Sequence, residues 1–326
     1  MKILVTGGAG YIGSVTAELL LDKGYEVVIF DNLERGHRAA VDKRARFIKG
    51  DIRDKSSICA AMEQEEPDGV LHFAAYALVE ESVRQPELYW GNNVVGSINL
   101  AEAMLKTGTK RIVFSSTCST YGQPARIPIT EEAPQQPTNP YGVSKLMMET
   151  VFGWNERLHG IKAVFLRYFN ACGATERFGE DHNPETHLIP VVLQVALGQR
   201  KNVVVMGDDY DTPDGTCIRD YIHILDLAEA HELALAGDHC GAFNLGIGEG
   251  CSVKQVIDAA REVTGHSIPW QMGPRRPGDP PRLIACAEKA RIALGWKPRI
   301  TTLHAIVESA WKWHRAHPKG YGGTGA

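Results

Sequence analysis

The chain has 326 residues, 44% of them hydrophobic and 23% charged, with a formal net charge of -4. This is the make-up of an ordinary globular protein with room for two domains or one large α/β unit, and it excludes a strongly basic nucleic-acid binder. The apolar run at the N-terminus is too short for a signal peptide or a membrane span, so no membrane partner and a cytoplasmic location are expected.

Residues 2–6 form the first predicted strand, and the turn Gly7-Gly8-Ala9-Gly10-Tyr11-Ile12-Gly13 leads from it into an amphipathic helix. Strand, glycine turn and helix together are the context in which backbone N–H groups cradle a pyrophosphate; a glycine turn without any ligand is the alternative. The second strand, Glu26 to Phe30, ends in Asp31-Asn32, about twenty residues after the glycines, where a carboxylate accepts from ribose hydroxyls and repels a 2′-phosphate. NAD is therefore expected rather than NADP. A third strand (46–49) ends near Asp51 and Ile52, with Asp51 placed to receive the adenine amino group. A fourth (69–73) ends in Phe73, Ala74 and Ala75, the small residues leaving room for a cofactor. His72 within it reads as a packed strand residue. A helix over Asn92 to Lys106 and a fifth strand (111–114) complete an alternation that predicts a doubly wound parallel sheet, an α/β fold.

The fifth strand exits through Ser115-Ser116-Thr117-Cys118-Ser119, and hydroxyls at the carboxyl end of a parallel strand lie where ligands bind. Asn139 then caps a helix with Pro140 at its first position, which places Tyr141 and Lys145 one turn apart on one face. A fixed ammonium there would lower the phenol's pKa, although a marginal core tyrosine with a solvated lysine has the same spacing. After a strand over 163–169 the composition changes. We place a domain boundary at 169/170, giving an α/β dinucleotide domain (1–169) and a smaller α/β domain (170–326), with the chain returning to the first near 220–247. In the second part, Arg219 and the loop arginines Arg275 and Arg276 offer planar forks for phosphate, although a solvated basic loop has the same residues. The cluster Glu180, Asp181, His182, Glu185 and His187 surrounds Asn183-Pro184 in a loop without helical ligand spacing, so no metal is expected. The seven cysteines are scattered without a Cys-x-x-Cys pair, which argues for reduced thiols. The tail from Gly320 to Ala326 reads as disordered.

Gly7-x-x-Gly10-x-x-Gly13, Asp31, Ser115-Ser116-Thr117 and Tyr141-x-x-x-Lys145 together closely resemble the extended short-chain dehydrogenase/reductase family. Arg167-Tyr168-Phe169-Asn170, Gly207 through Thr216, Arg219-Asp220-Tyr221-Ile222-His223, Asn244-Leu245-Gly246 and Arg275-Arg276-x-Gly278-Asp279 are similar, in order, to its UDP-hexose 4-epimerase branch. The resemblance implies tightly bound NAD, UDP-glucose and UDP-galactose as substrates, a 4-keto intermediate and a homodimer. It implies Tyr141 as base, Lys145 as the group that lowers its pKa, and Thr117 on the reacting oxygen. It implies NAD contacts at Gly7, Gly10, Tyr11, Ile12, Gly13, Asp31, Asn32, Asp51, Ile52, Phe73, Ala74, Ala75, Asn92, Thr117, Tyr141, Lys145 and Phe169. Substrate contacts are implied at Thr117, Tyr141, Asn170, His187, Leu188, Val204, Val205, Met206, Arg219, Arg276 and Asp279.

Three departures stand out: Thr117 where serine is frequent, Ala77 where many members have lysine beside the cofactor, and Leu283 at the position that gates the sugar's 2-substituent. A UDP-N-acetylglucosamine 4-epimerase is the alternative that Leu283 leaves open. A 4,6-dehydratase is disfavoured, because Cys118 and Ser119 stand where an acid is needed.

Overall fold

The computed structural model describes residues 1–276 and 279–323, so Gly278 and the tail residues 324–326 lie outside the described residues. Seven parallel strands build the main sheet: β1 (Lys2–Thr6), β2 (Glu26–Asp31), β3 (Arg46–Lys49), β4 (Gly69–His72), β5 (Arg111–Thr117), β6 (Lys162–Tyr168) and β10 (Gly241–Leu245). Their order is β10-β6-β5-β4-β1-β2-β3. The chain runs outward from β1 to β3, then crosses back to β4 and builds the other half. The crevice between the carboxyl ends of β1 and β4 is thus the point where strand order reverses, the usual ligand position in such a sheet. Most of these strands are buried on both faces, as runs such as Ile3-Leu4-Val5 and Val27-Val28-Ile29-Phe30 require.

Two layers of helices cover the sheet. On one side the helices Tyr11–Asp22 and Ile224–Ala236 pack together over Val5, Ile29, Leu71 and Leu166. On the other, Lys55–Glu65, Ser97–Thr107 and Pro140–His159 bury Leu4, Phe30, Phe114 and Phe165. The helix expected over 92–106 is α-helical only from Ser97; Trp90–Gly96 is a π-helix.

The remaining strands are short: β7 (Asn170–Cys172), β8 (Val203–Met206), β9 (Ile218–His223), β11 (Gly250–Ser252), β12 (Trp270–Gly273) and β13 (Arg282–Leu283). Strands β7, β11 and β13 all pair with β9, while β8 pairs with β12. A separate core of Ile189, Val192, Val203, Ile257, Val307 and their neighbours lies between the helices Leu188–Ala196, Val253–Thr264 and Leu303–Ala316. One expectation fails in part: Gly320–Gly323 forms a single 3₁₀ turn rather than a disordered tail. Tyr321 there is buried, with Gly179 donating to its hydroxyl at 3.0 Å, and one aromatic anchor of this kind is enough to pin the turn.

Candidate active site

Close approach defines the glycine turn. Gly7 has φ +73°, and a Cβ there would lie 2.5 Å from the Ala74 backbone nitrogen; a Cβ on Gly13 would lie 2.3 Å from the Gly7 carbonyl oxygen. Only glycine lets β1, β4 and the first helix meet, which leaves a cradle of bare backbone at the switch point. Gly10 N–H donates to the Gly7 carbonyl at 3.2 Å, and Ile12 is half-buried in the first helical turn. The Tyr11 hydroxyl donates to the Gly173 carbonyl at 2.6 Å and so pins the turn to the end of β7.

At the tip of β2, Asp31 is buried and accepts from Ala9 N–H at 3.0 Å and Leu33 N–H at 2.8 Å, one on each carboxylate oxygen. Each oxygen keeps a further lone pair for a hydroxyl donor. Burial raises this carboxyl's pKa, which the two backbone donors oppose. Asp51, expected to take an adenine amino group, is instead held by the Arg53 guanidinium and by Asn32 Nδ2 at 3.0 Å, and Arg53 draws its pKa down to about 2. The Ile52 side chain is part of the core, so only its backbone is open to a ligand; Asn92 is buried against Asn93, with Nδ2 to Oδ1 at 3.0 Å. Phe73, Ala74 and Ala75 are half-buried at the end of β4, and Phe169 is buried beside Cys118.

Asn139 Oδ1 accepts from Gly142 N–H at 2.8 Å and starts the helix Pro140–His159, as the cap-plus-proline pattern predicts. Tyr141 and Lys145 both face inward. β5 is longer than expected: Ser115, Ser116 and Thr117 are still strand, paired with Leu166, Arg167 and Tyr168, which brings the Thr117 hydroxyl close to the Tyr141 phenol. The Lys145 ammonium donates to the Ser115 carbonyl at 2.7 Å, lies 4.8 Å from the Phe114 ring centroid and 6.0 Å from that of Tyr141.

Burial, more than any neighbour, sets the electrostatics. It pushes the Tyr141 phenol well above its ordinary value, against the opposing pull of the Thr117 hydroxyl. It also draws Lys145 down to about 7, against the attraction of Glu149. The expected dominance of Lys145 over the phenol is therefore not present in the protein's own groups: desolvation outweighs an ammonium 6.0 Å from the ring. Beside Thr117, burial raises the Cys118 thiol to about 12, so no acid sits there.

Two residues that motif reading did not single out support this pair. Glu149, one turn beyond Lys145, is buried and meets the Arg167 guanidinium at 2.6 Å and 3.0 Å, while the Ser116 hydroxyl donates to it. The spacing Tyr141-x-x-x-Lys145-x-x-x-Glu149 was the available signal. Asn93, in the π-helix, accepts from Tyr76 N–H at 2.8 Å and donates to Ser144 Oγ at 3.1 Å.

Of the implied substrate residues, Asn170 donates to the Asp220 carbonyl at 3.0 Å, beside Arg219 on the central strand β9. The largely buried Arg219 guanidinium pairs with Asp279 at 2.5 Å. Arg275, expected to share in phosphate binding, is turned away: it pairs with Asp209 and covers the Tyr210 ring at 4.1 Å. Arg276 is exposed. His187 caps the helix that Leu188 begins. Along β8, Val204 is exposed, Met206 is half-buried and the Val205 side chain lies in the core.

The profile of the NAD dependent epimerase/dehydratase family matches residues 3–246, and the chain belongs to that family. It is 54% identical to the UDP-glucose 4-epimerase of Lacticaseibacillus casei, over 99% of either chain. A solved UDP-glucose 4-epimerase superposes with a TM-score of 0.95 at 48% identity, covering 98% of this chain and 99% of that one. The Bifidobacterium longum UDP-glucose 4-epimerase, solved in complex with NAD+ and UDP, superposes at 0.94 with 40% identity, covering 98% and 100%.

Proposed function

We infer that this chain is an NAD-dependent isomerase that interconverts UDP-galactose and UDP-glucose through a 4-keto sugar. One observation carries the reading: Tyr141, Lys145 and Thr117 converge at the carboxyl end of β5, with a buried thiol and no acid beside them. Tyr141 takes the proton of the 4-hydroxyl, Thr117 hydrogen-bonds the same oxygen, and Lys145 holds the cofactor's ribose and the phenol's charge. NAD held at the glycine turn would supply the acceptor and donor for the carbon-4 hydride, and its cationic ring would favour loss of the proton from a phenol that burial holds in its neutral form. Tyr141 then gives the proton back, so the net change is an inversion. With Cys118 rather than an acid next to Thr117, nothing is placed to expel a second hydroxyl.

We assign NAD to Gly7, Gly10, Tyr11, Ile12, Gly13, Asp31, Asn32, the backbone near Asp51 and Ile52, and Phe73 to Ala75, within a domain spanning 1–169 plus the return through 220–247. UDP falls to Asn170, His187, Leu188, the β8 edge, Arg219, Arg276 and Asp279. Concentrating binding energy on the nucleotide leaves the keto sugar free to turn over.

The exposed apolar side chains of Met147, Trp154 and Leu158 on one helix, with Val95 on the π-helix packed against it, support a homodimer. Seven free cysteines suit the reducing cytoplasm. Incubation of purified protein with UDP-galactose and no added NAD tests the reading. UDP-glucose is expected; a keto-deoxy sugar would make it a dehydratase, and no turnover a silent NAD binder. Adding UDP-N-acetylgalactosamine as a second substrate measures how wide a sugar pocket Leu283 allows.

A further inference from the structure

Between β7 and the helix Leu188–Ala196 the loop folds so that Glu180, His182, Glu185 and His187 bring one donor atom each within 4.8 Å of one another. Loop placement had argued against a metal here. The structure keeps the loop and still gathers the donors. His187 Nδ1 lies 3.0 Å from Glu180 Oε1 and 3.0 Å from Glu185 Oε1, and His182 Nε2 lies 3.3 Å from Glu180 Oε1. Both carboxylates are buried, yet among the described residues no lysine or arginine pairs with either. Two buried carboxylates whose only positively charged side-chain partners, among the described residues, are imidazoles are a costly arrangement, and a dication balances them.

We propose that Glu180, His182, Glu185 and His187 form a structural site for a divalent transition-metal ion, with Zn²⁺ the best match. Two imidazoles and two carboxylates suit zinc, whereas Mg²⁺ and Ca²⁺ favour all-oxygen shells. A tetrahedral ion about 2.1 Å from each donor sets the donors about 3.4 Å apart, so separations running from 3.0 to 4.8 Å need only small rotamer changes. The outer shell is partly in place: Glu185 Oε1 accepts from Thr186 N–H and His187 N–H, both at 2.8 Å, which fixes its carboxylate. Four protein ligands leave no open position, so the ion is a clamp with no part in the chemistry, and His187 then meets UDP through its backbone alone. What it clamps is specific. The His182 ring meets the Tyr11 ring edge-on at 6.4 Å, and His187 stands at the N-cap position of the next helix, so one ion would fix the loop that packs against the glycine turn. A proton held on His187 between the two carboxylates is the competing account.

The experiment uses untagged full-length protein purified without chelator. Elemental analysis should find about one zinc per chain. Chelation should lower the thermal midpoint by about 5 °C relative to protein in zinc at a hundredfold excess over Kd. Co²⁺ added to the stripped protein should give the intense visible bands of a tetrahedral site. Glu180→Gln and His182→Ala should each weaken Co²⁺ binding at least ~10-fold while circular dichroism stays unchanged. Less than about 0.2 zinc per chain together with a featureless Co²⁺ spectrum would overturn the site in the wild-type protein alone, whatever the variants do. Equal Co²⁺ affinity in wild type and folded variants would overturn this ligand set.

Discussion

At the scale of single residues, the active site is an exercise in enforced desolvation. Burial raises the Tyr141 pKa, so its reactivity gains from positive charge brought near it, from Lys145 at 6.0 Å from the ring centroid and from beyond it. Tyr141→Phe should leave NAD bound and cut turnover by at least ~10²-fold, read as the rate of UDP-glucose formation beside the cofactor's absorbance. Lys145 makes a prediction of opposite sign for stability. Its amine titrates near 7 in the folded protein against ~10.4 unfolded, so between those values the unfolded chain binds more protons and stability rises with pH; the full cost is present below 7. Lys145→Met should therefore raise the thermal midpoint at or below pH 7, with the gain fading towards pH ~10, while epimerisation is lost. A midpoint difference that does not change with pH would assign the effect to packing instead.

At the scale of elements, the helix Pro140–His159 carries the chemistry at its first turn and its anchor two turns later. Arg167 on β6 and Ser116 on β5 both fasten Glu149, so a buried ion pair fixes how Tyr141 and Lys145 sit over the strand exit. Glu149→Ala strands the Arg167 cation and should cost ~3–5 kcal/mol in urea unfolding, whereas Glu149→Leu with Arg167→Met should recover much of it. These same elements mark what a sequence discloses. The glycine turn, the Asp31 strand end and the Asn139-Pro140 start were readable because each depends on neighbours a few residues away. The Glu149–Arg167 pair joins a helix to a strand across a sheet, and Asp220, whose carboxylate accepts from Ile247, Gly248 and Ala285 N–H groups, ties two distant segments to β9. Such contacts have no local signature. The partners of Asp51 and Arg275 were equally invisible in the sequence: Arg53 and Asp209 pair with them in the fold.

At the scale of the whole molecule, an apolar stripe and a strand order both look beyond the single chain. Met147, Trp154 and Leu158 recur at helical spacing on an exposed face of the catalytic helix. Trp154→Glu combined with Leu158→Glu should shift sedimentation at micromolar concentration from dimer to monomer; an unchanged wild-type-like dimer would move the interface elsewhere. The strand order carries a different consequence, for synthesis on the ribosome. The edge strand β10 pairs in register with β6, Gly241 opposite Val164, but it is made only after the whole β7–β9 segment. At ~5–20 residues per second the β6 edge waits on the order of 4–15 s with its amides and carbonyls unpaired. During that interval the nascent nucleotide-binding half is an open template for another chain, and the return of residues 241–245 both completes the sheet and ends its exposure.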